Sequence, residues 1–255
     1  MDGFKDEKKR SVCLWGVWAS LIIGVFYLGI GVLMIFDPAE RYRGYEYFIQ
    51  LVHYPVIPLI WRSMFVVVAF MTIFWITALD KLLREKSHEV EGLYKWVLFL
   101  GYAATVVNAI QWYKEIFLFR TLEGYEDTSV LYKQIFQATS YGMDPDFIWM
   151  FGALGAWYLV SSILAQKNKL FNKAGNVLGM LCGFSLVLTM IFAITDTIIN
   201  FGNGHQMAVM QFTSMLGGVS GALYHINMFF VVGKGIKATK SKNARKINQK
   251  EPITG

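Results

Sequence analysis

Charge and cysteine are both scarce in this chain. Only 16% of its 255 residues are Asp, Glu, Lys or Arg, against about a quarter in ordinary soluble domains. That deficit argues against a soluble globular protein. The two cysteines, Cys13 and Cys182, both fall inside apolar runs, which excludes a disulfide framework or a paired-cysteine metal site. Dinucleotide-binding glycine fingerprints, phosphate-binding loops, serine nucleophile elbows and zinc-type His-Glu-x-x-His spacings are absent. No cofactor and no metal are expected. His53 and His205 flank the same loop side as two carboxylates, but their spacing matches no ligand motif.

What the chain has in excess is apolar side chain, at 55% of residues with a mean hydropathy of +0.41. The excess is concentrated in six runs long enough to cross a bilayer. They cover about 12–36, 56–79, 96–118, 147–166, 176–199 and 208–232. The first follows Lys5, Lys8, Lys9 and Arg10. At about 25 residues it exceeds a signal-peptide core, so it reads as a retained span. The predicted fold class is all-α, a polytopic six-helix transmembrane bundle with short interfacial helices in its outer loops. Residues 1–11 form a basic N-terminus, 12–234 the six-span domain and 235–255 a basic tail.

Orientation follows from Lys and Arg. Four precede the first span, and Lys81, Arg84, Lys86 and Lys95 lie between spans two and three. Lys167, Lys169 and Lys173 separate spans four and five, and seven more run from Lys234 to Lys250. The opposite side carries Arg41, Arg43, Lys114, Arg120 and Lys133. The positive-inside rule then places both termini in the cytoplasm, with a plasma (inner) membrane as the expected location. The net charge of +6 therefore reflects topology and anionic headgroups at the basic termini rather than nucleic acid. Trp15, Trp18, Trp75 and Trp96 fall near the inner interface, and Trp61, Trp112 and Trp149 near the outer one, as in an aromatic belt. The end of the tail is expected to be disordered.

Polar groups inside spans carry the functional signal, because lipid cannot satisfy them. In span three, Asn108, Gln111 and Glu115 are spaced by three and four and share one helical face. Arg62 lies about six residues below the outer end of span two, and Asp196 near the outer end of span five. All three ionisable groups sit roughly 5–9 Å inside the boundary at helical rise. The matching depth predicts that Arg62 meets Glu115, Asp196 or both, since its planar fork can bridge carboxylates. Arg62, Gln111, Glu115 and Asp196 are the candidate ligand-binding set. His225, in the inner half of span six, and Asn108 are candidates for a polar relay. Gly175, Gly179 and Gly183 in span five match Gly217 and Gly221 in span six, which predicts close packing of those two helices.

The stretch "FGALGAWYLVSSILAQKNKLFNKAGNVLGMLCGFSLVL" (151–188) has a helix ending in a short basic turn. Leu178-Gly179 and Gly183 then open the next helix. This layout resembles a group of small bacterial six-span membrane proteins of unknown function. The resemblance implies six helices and transfers no catalytic residue. Three functions stay open: a small-molecule binding or transport-like protein with an outward-facing polar pocket; a structural subunit joined to a membrane protein partner; and a membrane enzyme using Glu115 or Asp196 as acid or base on a lipid-like substrate.

Overall fold

The computed structural model describes residues 7–41, 49–51, 53–84, 91–122, 144, 148–199 and 204–248. Side chains are described for 11–41, 49–51, 53–84, 92–117, 144, 148–195 and 209–234. Six helices dominate: α1 (Glu7–Phe36), α2 (Val56–Arg84), α3 (Glu91–Leu122), α4 (Leu154–Lys167), α5 (Lys173–Ile199) and α6 (Gly204–Asn248). A π-helical turn, Ile148–Ala153, runs directly into α4 and completes the fourth span. No strand occurs among the described residues. All six are long and apolar enough to cross a bilayer, so this is an integral membrane protein. Helices are the only element that satisfies an isolated spanning backbone.

The packing order is a closed ring. Each helix packs on its neighbour in sequence, and α6 returns to pack on α1. With six spans, both termini share one end of the bundle, here called the terminal end; the opposite end is the distal end. The ring is filled rather than hollow at its centre. Among the described residues, Trp75, Trp157, Tyr158 and Tyr224 are its bulkiest wholly enclosed side chains, and His225 is enclosed with them. Leu28, Val32, Phe70, Phe99, Phe184 and Val219 point outward, as a lipid-facing surface requires.

Local chemistry fixes the helix ends. Asp37-Pro38 stops α1, since a residue before proline disfavours the helical region. The Asp37 carboxylate accepts the Ala39 N–H at 2.9 Å and starts a 3-10 turn, Ala39–Arg41. Residues 49–51 are also helical, and Leu51 is buried with Ala39 beneath Leu59, so the first distal loop does hold short helical pieces. Most of the second distal loop lies outside the described residues. Asp144 accepts from the Trp149 and Met150 N–H groups and caps the fourth span. Between α4 and α5 the chain reverses through Lys169 at φ 51°. Asn172 then caps α5 by accepting the Gly175 N–H at 2.9 Å.

Two expectations change. Trp75 is no interfacial anchor: it is wholly buried, because its depth suits the interface but its face of α2 points into the ring. Gly183 packs on α4 rather than α6, with a Cβ there meeting the Leu159 backbone and the Gly155 carbonyl. Gly217 and Gly221 do pack on α5, against Leu186 and Cys182. The tail is helical through Asn248, since its Lys-rich sequence favours helix and no proline interrupts it; its end, where disorder is expected, lies outside the described residues.

The Asn172 cap is a single accepted bond on an exposed turn. Asn172→Ala is expected to lower stability by about 1 kcal/mol, read as a reduced thermal midpoint in detergent with the helical spectrum unchanged.

Candidate functional site

Two polar networks occupy the bundle, one near the distal end and one at its centre. In the distal network the Arg62 Nε donates to Glu115 Oε2 at 2.9 Å. The Gln111 Nε2 donates to the other carboxylate oxygen at 3.2 Å. Arg62 Nη1 also donates to the Pro58 carbonyl at 3.4 Å. Pro58 lies in the first turn of α2, where its lack of an N–H costs little. The Arg62 side chain is 4% exposed and that of Glu115 16%. A guanidinium held so deep needs its counter-charge, because an unpaired ion in a low-dielectric region is strongly disfavoured.

Aromatic rings close round this pair. The Arg62 guanidinium carbon lies 3.9 Å from the Trp61 ring centre, within cation–π range. Phe65 and Trp112 stack at 4.5 Å with their planes 7° apart. Trp61 meets both edge-on. Trp61 Nε1 in turn donates to Asp37 Oδ2 at 2.9 Å. Asp37 is fully buried and joins the end of α1 to α2. The network therefore runs from α1 through α2 to α3.

Of the four residues expected to bind ligand, the structure brings Arg62, Gln111 and Glu115 together. The backbone of Asp196 lies in the last turn of α5, and its side chain is outside the described residues. The same holds for His205, in the first turn of α6. His53 is exposed on the distal side. Asp37 went unnoticed in the sequence because it reads as the first loop residue. Its one visible signal was its position directly between an apolar run and a proline.

The central network is uncharged. His225 of α6 is fully buried. Its Nδ1 pairs with the Ser20 hydroxyl of α1 at 3.0 Å, and its Nε2 with the Tyr158 hydroxyl of α4 at 2.6 Å. Ser20 Oγ also donates to the His225 carbonyl at 2.9 Å. Trp75, Tyr158 and Tyr224 meet the imidazole edge-on at centroid distances of 5.8, 5.7 and 5.1 Å. Both ring nitrogens are thus engaged by Ser20 and Tyr158, and neither by Asn108, which is half-buried on α3. The ring's partners are two hydroxyls from other helices, Ser20 of α1 and Tyr158 of α4. Nothing in the spacing of Ser20, Tyr158 and His225 reveals this, since they lie far apart in sequence.

The central bonds tie three helices. Tyr158→Phe leaves one buried imidazole nitrogen without its partner and is expected to cost about 1 kcal/mol, the scale of membrane-interior hydrogen bonds. A double-mutant cycle with Ser20→Ala, read by thermal denaturation, should give a non-additive total, because both hydroxyls act on one ring.

Compared with known proteins, the chain matches no family model, no curated protein and no solved structure.

Proposed function

We propose that this integral membrane protein binds a small anionic molecule at the distal end, through Arg62 with Gln111 and Glu115. The observation that carries this reading is the asymmetry of the ion pair. Arg62 is almost wholly buried, while its carboxylate partner is four times more exposed. An incoming carboxylate or phosphate group of matching charge can take the place of Glu115 against the guanidinium fork. Gln111 would then orient the displaced carboxylate or the ligand. Asp196 belongs to the same proposed set by its depth in α5. The basic termini would meet anionic headgroups at the other face.

A second reading has its own support. Both oxygens of Glu115 are already engaged, and Trp61, Phe65 and Trp112 pack the surroundings. The same residues would then lock α2 to α3 in a structural subunit of a membrane complex.

Glu115→Gln separates the two. It removes the internal competitor and leaves the Arg62 charge in place. Under the binding reading, titration with small carboxylates and phosphates raises the thermal midpoint of Glu115→Gln more than that of the parent. Arg62→Ala then abolishes the response. Under the packing reading, both substitutions lower the midpoint, with a stability loss of about 2 kcal/mol for a charged hydrogen bond, and no anion changes it.

A further inference from the structure

The central network fixes which nitrogen of His225 carries the proton. Ser20 Oγ donates its one hydrogen to the His225 carbonyl at 2.9 Å. Toward the ring it can then only accept, so Nδ1 carries the proton and donates it to Ser20 at 3.0 Å. Nε2 is left as a bare lone pair, and the Tyr158 hydroxyl donates to it at 2.6 Å. A phenol in the middle of the bundle thus points at a base whose tautomer is set from behind. Both rings are wholly enclosed.

Oxidisable rings surround this pair. Trp157 and Tyr224 lie 4.8 and 5.7 Å from the Tyr158 ring, and Trp75 lies 6.1 Å from Tyr224. Toward the distal end, Tyr27 stands within electrostatic reach of Tyr158 and packs on Phe65 at 6.2 Å. Phe65 stacks on Trp112 at 4.5 Å, and Trp112 meets Trp61 at 5.5 Å. A row of rings therefore leads from half-buried Trp112 to the centre.

The row has a direction. The Arg62 guanidinium carbon lies 3.9 Å from the Trp61 ring, and that fixed positive charge disfavours a second one on the indole beside it. At the centre, an indole that lost an electron would stay a cation in a low-dielectric interior, which is costly. Among the described residues Trp157 Nε1 has no acceptor for its proton. Tyr224 faces the Trp75 indole N–H, which donates and takes up no proton. Tyr158 differs from these neighbours in that its hydroxyl already meets a base.

We propose that Tyr158 is a reversible one-electron redox site that quenches lipid peroxyl radicals reaching the distal aromatic rings. A peroxyl group is polar and favours the outer part of the hydrocarbon, the depth of Trp112 and Trp61. It takes one electron from that end of the row and one proton from interfacial water, and leaves as a hydroperoxide. The electron vacancy moves inward to Tyr158. There the phenolic O–H bond breaks, its proton forms an N–H bond at His225 Nε2, and a neutral phenoxyl radical remains. The imidazolium so formed has two acceptors, Ser20 Oγ and the phenoxyl oxygen, which an indole cation at this depth lacks. A one-electron reductant such as ascorbate returns the electron, and the proton goes back from Nε2 to the phenolic oxygen. The site does not depend on anion binding at Arg62, which enters here as a fixed charge.

Electron paramagnetic resonance of the full chain in lipid nanodiscs tests it. Peroxyl radicals are generated in the bilayer by a lipid-soluble azo initiator, and samples frozen during exposure should show a neutral tyrosyl radical. Tyr158→Phe should lose most of that signal, while Tyr224→Phe keeps it. With ascorbate present, the parent should slow peroxidation of the nanodisc lipid and Tyr158→Phe should not. A signal that survives Tyr158→Phe, a radical confined to indoles, no radical at all, or equal peroxidation with both chains overturns the proposal. Where Tyr158→Phe does not fold, the parent decides alone: the radical must couple to isotope-labelled histidine nitrogen and to an exchangeable proton, and absence of either coupling overturns it.

Discussion

Hydrocarbon offers no hydrogen-bond partner, and every polar group of this bundle is placed under that constraint. The backbone answers it by forming helices. Most span hydroxyls answer it by bonding back along their own helix, as Thr72, Thr105 and Thr189 do. Asp37 and Asp144 answer it at helix starts, where free N–H groups need acceptors and the helix dipole favours a carboxylate. What remains for tertiary contact is a short set of side chains, and these decide how the helices meet.

The two networks divide that task by charge. The ionised residues are close to the distal end, where Arg62, Glu115 and Gln111 join α2 to α3 and Asp37 links them to α1 through Trp61. Nearness to the helix ends limits the desolvation cost of the pair. Among the described residues, the side chains that bond to His225 or meet its ring at the centre are uncharged. The centre uses hydroxyls from α1 and α4 to fix an imidazole on α6. These bonds cross between helices distant in sequence, so they set the ring closure that consecutive packing alone leaves free. The glycines allow the approach: Gly155 and Gly183 bring α4 and α5 backbone to backbone, and Gly24 of α1 lies against the Ala222 carbonyl of α6.

The sequence made the first network legible and hid the second. Run length gave the six spans, and Arg62 and Glu115 stood out because charges inside apolar runs are rare and must be paired. A one-helix face, Gln111 with Glu115, follows from spacing alone. Ser20, Tyr158 and His225 carry no comparable signal, because a span tolerates a lone serine or tyrosine and their meeting depends on closure of the whole ring. Trp75 misleads for a related reason: depth along a helix is readable from sequence, but the direction a side chain faces is set by neighbours. Gly183 shows the same limit, since a glycine stripe predicts close approach without naming the partner.

The charge division also constrains what the bundle can admit. The described side chains that bond to His225 or meet its ring, namely Ser20, Trp75, Tyr158 and Tyr224, are uncharged. A charged solute at that depth would lose its hydration and gain only neutral dipoles, a poor exchange in a low-dielectric interior. The distal end has the opposite character, with a guanidinium whose attraction is lasting because Arg does not deprotonate. The fold thus keeps its buried ion pair near the helix ends and ties its centre with uncharged hydroxyl and imidazole groups.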